Sequence, residues 1–213
     1  MVSATVMLVG CASCHRGAKA DATPEMSERP LAVYVAQRII VTPVAHVRAA
    51  DSLGWVPQLG GPRGVARHLD SNIVAVLDAR GLASRWVLPA ELTRAYERNR
   101  TYASDPYRLA VEALRAPSFK AAARYGEPLS SQLRTMIALH EDTRFVLIPV
   151  DLHFEPAGGA GSIVGRAVLR VAVLDPRFAE AKWVGELKGG AAATAPQALS
   201  SVAARFADLF VAP

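Results

Sequence analysis

The two cysteines of the chain stand close together and a histidine follows the second, in the order Cys11-Ala12-Ser13-Cys14-His15. The C-x-x-C-H pattern is the one on which c-type haem is attached: both thiols add to the haem vinyl groups and the imidazole becomes an axial ligand of the iron. A porphyrin also needs apolar chain around it and a helix to carry its proximal ligand. Here Arg16 to Pro30 is polar and broken by Gly17 and Pro24, and the one nearby thioether for a sixth ligand, Met26, lies in that same segment. Covalent haem c on Cys11, Cys14 and His15, in a monohaem electron-transfer protein, is therefore the alternative reading. The leading reading has no cofactor.

The rest of the chain offers little for catalysis. His46, His68, His140 and His153 stand alone, without the i, i+4 or H-x-H spacing that brings two imidazoles to one metal, so no metal site is expected. No serine sits in a G-x-S-x-G elbow, and Gly158-Gly159-Ala160-Gly161 is followed by neither a Lys-Ser/Thr pair nor a helix start, which makes it a hairpin turn and not a phosphate loop. The chain is read as a non-enzyme. Its candidate partner-binding residues are Arg94 and Arg98, an i, i+4 pair on one helix face that would attract an acidic surface.

Val2 to Gly10 is apolar and of the length of a secretory h-region. No Lys or Arg precedes Cys11, so Met1 is expected to be an internal start with the true precursor beginning upstream. Leu8-Val9-Gly10-Cys11 resembles the lipobox of bacterial lipoproteins. That resemblance implies cleavage before Cys11, diacylglycerol in thioether linkage on its sulfur and an acylated amine, an anchor in which each buried methylene contributes ~0.8 kcal/mol. Ala12 in place of Asp at the next position implies the outer membrane in preference to the inner. If Cys11 carries lipid it cannot carry haem. The expected organisation is a signal-peptide remnant over 1–10, a lipidated polar tether over 11–30, and a single α/β domain over 31–213, on the periplasmic side of a bacterial membrane.

Composition agrees with a folded domain of ordinary size: 213 residues, 51% hydrophobic and 20% charged. The net charge of +5 comes from scattered arginines, among them Arg63, Arg67, Arg80, Arg85, Arg94, Arg98 and Arg100. Asp70, Asp78, Glu91 and Glu97 interrupt them, so the dense basic stripe of a nucleic-acid binder is missing and no nucleic-acid partner is expected. An acidic protein face or a lipid headgroup surface fits better. No apolar run reaches the ~20 residues needed to span a bilayer as a helix.

The elements that must position these residues begin at Leu31. Leu31 to Val47 is rich in Val and Ile and reads as one or two strands, with Pro43 at an edge or strand end. Asp51 to Pro62, with its glycines and prolines, reads as a loop. Val65, Leu69, Ile73, Val76 and Leu77 recur at helical spacing and predict a helix from about Gly64 to Arg80, stopped by Gly81. A short strand at Trp86-Val87-Leu88 follows, then a helix opened by Pro89 and another opened at Asp105-Pro106. Leu129 to His140 gives one more helix. Phe145 to Phe154 reads as an interior strand with an irregularity at Pro149, Ile163 to Asp175 as a half-exposed strand, and Ala181 to Lys188 as a third, with Trp183 and Leu187 on one face. Leu199, Val202, Phe206, Leu209 and Phe210 line a C-terminal helix opened by Pro196. The expected fold is an α/β (α+β) sandwich: a mixed sheet with a C-terminal antiparallel three-strand meander and helices packed on it.

Particular stretches carry a resemblance: Arg38-Ile39-Ile40-Val41-Thr42-Pro43, the helix ending before Trp86-Val87-Leu88, Asp142 to Ile148, and above all Val168 to Asp175 followed by Lys182-Trp183-Val184-Gly185-Glu186. Together they resemble the periplasmic domain shared by the curli-secretion lipoprotein CsgG, the amino-terminal domain of TolB, and LpoB-type activators of peptidoglycan synthases. The long amphipathic segment of the pore-forming members is absent, and Asp-Pro-Arg stands where a Thr-Gly turn is the family pattern. What the resemblance implies is therefore an accessory subunit that binds a membrane-bound protein complex.

Overall fold

The computed structural model describes residues 29–158 and 164–212. Cys11, Cys14, His15, the export segment, the tether up to residue 28 and most of the Gly158 to Ile163 turn lie outside the described residues.

Four strands form one mixed sheet in the order β1 (Ile39–Val41), β2 (Phe145–Pro156), β3 (Gly165–Asp175), β4 (Glu180–Lys188). β1 runs parallel to β2, and β2, β3 and β4 make the antiparallel meander. Pro43 ends β1, which is an edge strand, as the missing N–H of proline requires. Among the described residues six α-helices accompany the sheet: α1 (Trp55–Gln58), α2 (Gly61–Ala79), α3 (Pro89–Arg98), α4 (Glu112–Arg115), α5 (Leu129–Ala138) and α6 (Ala195–Asp208).

Both faces of the sheet are covered. On one, Val65, Leu69, Ile73 and Leu77 of α2 and Leu199, Val202 and Phe206 of α6 pack on Leu147, Leu152, Leu169, Val171 and Val173. On the other, Leu92 of α3, Leu114 of α4 and Leu133 and Met136 of α5 pack on Val146, Ile148, Val150, Ala172 and Leu174. Burial on two faces explains why β2 reads as continuous apolar chain and not as an alternation. It also corrects the half-exposed reading of β3. Arg170 does not face open water there: its guanidinium donates to the carbonyls of Leu114 (2.8 Å), Ala116 (3.1 Å) and Phe119 (2.6 Å), which closes the end of α4.

Three other expectations change. The Asp51 to Pro62 loop contains α1, because the Asp51 carboxylate accepts from the N–H groups of Leu53 (2.9 Å), Trp55 and Val56 (2.8 Å) and so caps a turn whose Trp55 packs edge-on against Phe154. Trp86-Val87-Leu88 contributes one bridge, Val87 to Ile40, and no extended strand. Asp105-Pro106 opens no helix. Asp105 accepts from the Tyr107 N–H at 2.9 Å in an Asx turn and Ala110 donates to Gln132 Oε1 at 2.9 Å, which draws the backbone away from helical pairing until Glu112.

The corner between α1 and α2 is tight enough to need glycine. A Cβ on Gly64 would fall 1.7 Å from the Leu59 carbonyl oxygen. This close approach packs the first turn of α2 against the end of α1.

Candidate functional site

Arg94 and Arg98 both point to solvent from α3, whose Leu92 and Ala95 are buried, so the helical pattern puts them where expected. Neither forms an ion pair among the described residues. Arg94 borders a hollow of about 380 Å³ together with Arg38, Arg85 and Glu91. Arg98 is not on its lining, so the pair is exposed but does not converge on one cavity.

A larger cleft lies at the β1 edge of the sheet, and a buried carboxylate, Asp151, holds the chain that forms one of its walls. β2 slips register between Pro149 and Asp151, which turns Asp151 to the same side of the sheet as Val150. At 2% exposure Asp151 accepts from Arg48 at 2.6 Å and from Arg115 Nε at 3.1 Å, while His46 Nε2 stands 3.8 Å away. A buried carboxylate costs several kcal/mol unless it is paired, and two guanidiniums supply the pairing here. Arg48 thereby ties the chain after β1 to the bulge, and Arg115 ties α4 to the same point. His46 is held below its ordinary pKa, first by burial and then by the Arg115 charge, which outweigh the opposing pull of Asp151.

The cleft encloses about 910 Å³, within the range of ligand-binding clefts. One wall is the segment Val44 to Ala49, the other is the start of α2 with Pro62, Arg63, Ala66 and Arg67, and Asp105, Tyr107 and Arg108 close one end. The walls are built from small or apolar side chains and the rim is cationic. Arg63 and Arg67 are an exposed i, i+4 pair, and with Arg108 they form no ion pair among the described residues. The first turn of α2 has neither a capping side chain nor an acidic residue, so its positive end adds to theirs.

Asp70 lies beneath the rim, on α2 one turn beyond Arg67. Its Oδ1 accepts the Val44 N–H at 2.8 Å, while Oδ2 is buried without a hydrogen-bond partner among the described residues. Burial raises its pKa to about 7, against which the Val44 hydrogen bond works only weakly. Tyr107 is raised by its own burial and by the neighbouring Asp70 and Asp105 charges.

What the arrangement can do chemically is attract negative charge, through Arg63, Arg67, Arg108 and the uncapped start of α2, with Asp105 the opposing charge on the lining. Sequence reasoning counted Arg63 and Arg67 only among scattered arginines and missed His46, Tyr107 and Arg108 as wall residues. The available signal was an i, i+4 arginine pair directly after Gly60-Gly61-Pro62. The remaining histidines do not join it: His68 is exposed on α2, and the partly buried His140 and His153 are pushed below their ordinary pKa by burial. Among the described residues no group of three or more His, Cys, Asp or Glu is placed to hold a metal ion, and no helix is long and apolar enough to cross a membrane. The fold is a four-stranded mixed sheet between two helical layers. No family model, curated protein or solved structure matches the chain.

Proposed function

We propose that the chain is a non-enzymatic envelope lipoprotein, anchored by lipid on Cys11 on the periplasmic side of a bacterial membrane, whose α/β domain is an accessory subunit docking on a membrane-bound protein assembly. The observation that carries the docking reading is the set of arginines left without ion-pair partners among the described residues: Arg63, Arg67 and Arg108 around the larger cleft, and Arg38, Arg85 and Arg94 around the smaller. Unneutralised guanidiniums on one domain repel one another, and an acidic partner removes that cost while gaining orientation and association rate. The Leu8 to Cys11 lipobox supports the anchor.

The two halves of the proposal are tested separately. Cys11→Ala is expected to move the protein from the membrane to the soluble fraction with its thermal midpoint unchanged; an unchanged membrane fraction sinks the anchor. Charge reversal at Arg94 and Arg98 is expected to reduce capture of the assembly from native membranes, more so at low salt, without loss of stability. Equal capture at two salt concentrations removes α3 from the interface.

A further inference from the structure

The larger cleft is walled by short side chains, Val44, Ala45, Val47 and Ala49 on one side and Ala66 of α2 on the other. They leave about 910 Å³ between them, a volume in which small ligands are enclosed. Tyr107, one of four large apolar or aromatic side chains exposed among the described residues, also lines it. An apolar body seated there takes its own surface and that of the walls out of water, which is favourable in proportion to the area covered.

The charge around this apolar space is one-sided. Arg63 and Arg67 stand one turn apart on α2 and Arg108 closes the end, and none of the three has an ion-pair partner among the described residues. The nearby carboxylates are engaged by backbone: Asp70 accepts the Val44 N–H at 2.8 Å and Asp105 the Tyr107 N–H at 2.9 Å. Like charges one helical turn apart repel, so Arg63 and Arg67 are relieved by an anion placed beside them.

We infer that the larger cleft binds an amphiphilic anion, a phosphate or carboxylate head on an alkyl chain, with the head met by Arg63, Arg67 and Arg108 and the chain lying on the Val44 to Ala49 segment and Ala66. Both parts of the ligand are needed. The planar fork of a guanidinium matches phosphate and carboxylate oxygens, but at an exposed rim an ion pair alone contributes little. An alkyl chain alone leaves the three guanidiniums unmatched. Together, the chain excludes water from beside the head and so strengthens each ion pair. The inference goes beyond the docking reading and stands without it, although both draw on the same three arginines.

The test is titration calorimetry on the full chain carrying Cys11→Ala, in detergent-free buffer, with octyl phosphate as the probe. Inorganic phosphate supplies the charge without the chain, and octanol the chain without the charge. The expected result is one octyl phosphate per protein, bound at least tenfold more tightly than either. Arg63→Gln with Arg67→Gln is expected to weaken octyl phosphate at least tenfold and to leave octanol unchanged, whereas Ala49→Leu, which puts a larger side chain into the cleft, is expected to weaken both. Inorganic phosphate bound as tightly as octyl phosphate overturns the inference in favour of a simple anion site, and octanol bound as tightly overturns it in favour of an uncharged apolar hollow. No binding, or binding that neither variant changes, overturns it altogether. Vesicles of phosphatidylglycerol added to the complex separate the two sources of such a ligand: displacement of octyl phosphate supports a membrane lipid, and retention supports a soluble amphiphile. A protein that binds octyl phosphate but captures no assembly counts against the docking reading alone, and one that captures the assembly but binds no octyl phosphate counts against this inference alone. Arg63, Arg67 and Ala49 are exposed, and unchanged thermal midpoints verify that the variants are folded.

Discussion

The Arg48 guanidinium meets the buried Asp151 carboxylate at 2.6 Å, joining the chain after β1 to a bulge on β2 that lies far along the sequence. Arg115 takes the other carboxylate oxygen, so one residue ties to β2 both α4 and the chain after β1, the latter a wall of the larger cleft. Replacing Asp151 by Ala leaves two guanidiniums facing each other over an apolar sheet and is expected to cost about 2–4 kcal/mol in urea unfolding. Arg48→Met is expected to cost about 1 kcal/mol, since Arg115 still serves the carboxylate and Arg48 itself is half-exposed. Equal losses in the two variants would show that the pairing does not organise the site.

Asp70 makes stability depend on pH with a definite sign. Its pKa rises on folding from 3.8 to about 7, so the folded chain holds the proton more tightly than the unfolded chain. Stability is unaffected below the unfolded value, falls as pH climbs through that interval, and levels off above about 7. Asp70→Asn abolishes the titration, and the variant is expected to gain on the wild type progressively across that window, by up to about 4 kcal/mol at its upper end. Thermal midpoints measured from pH 4 to pH 8 decide it; parallel profiles for the two proteins contradict the assignment.

Trp183 tests the packing on the α6 side of the sheet. The ring packs against the cluster that includes Phe206, but it remains partly exposed and lies over Gly185, where a Cβ would come within 2.4 Å of it. Trp183→Ala is expected to cost about 1–3 kcal/mol, less than the loss for a fully enclosed tryptophan. Gly185→Ala is expected to displace the indole and to change its fluorescence. An unaltered emission spectrum in that variant would mean that the ring does not sit over Gly185.

Most of the fold was legible because its signals are local and repeated. The spacing of Val65, Leu69, Ile73 and Leu77 yields α2, the Leu199 to Phe210 series yields α6, and Pro149 marks the place where β2 slips register. The site was not legible in the same way. Its walls come from three separated segments, and the contact that holds one of them, Asp151 with Arg48, joins residues with no periodic relation. That Arg94 and Arg98 share an exposed face could be read from their spacing on one helix, whereas the placing of Arg63 and Arg67 on a cleft depends on the Val44 to Ala49 segment being brought opposite. The Asx turn at Asp105 shows the same limit at short range: Asp-Pro reads equally as a helix start, and the Gln132 side chain on α5 decides against it.

The most direct measurement of the docking account is capture of the native assembly from solubilised membranes by the full-length lipidated protein, comparing wild type with a triple charge reversal at Arg63, Arg67 and Arg108. The account predicts that wild type retains a defined set of membrane proteins at low salt, that retention weakens as salt rises, and that the reversed protein, equally folded and equally membrane-bound, loses that set at least tenfold. Retention of the same proteins by the reversed variant at every salt concentration would contradict it.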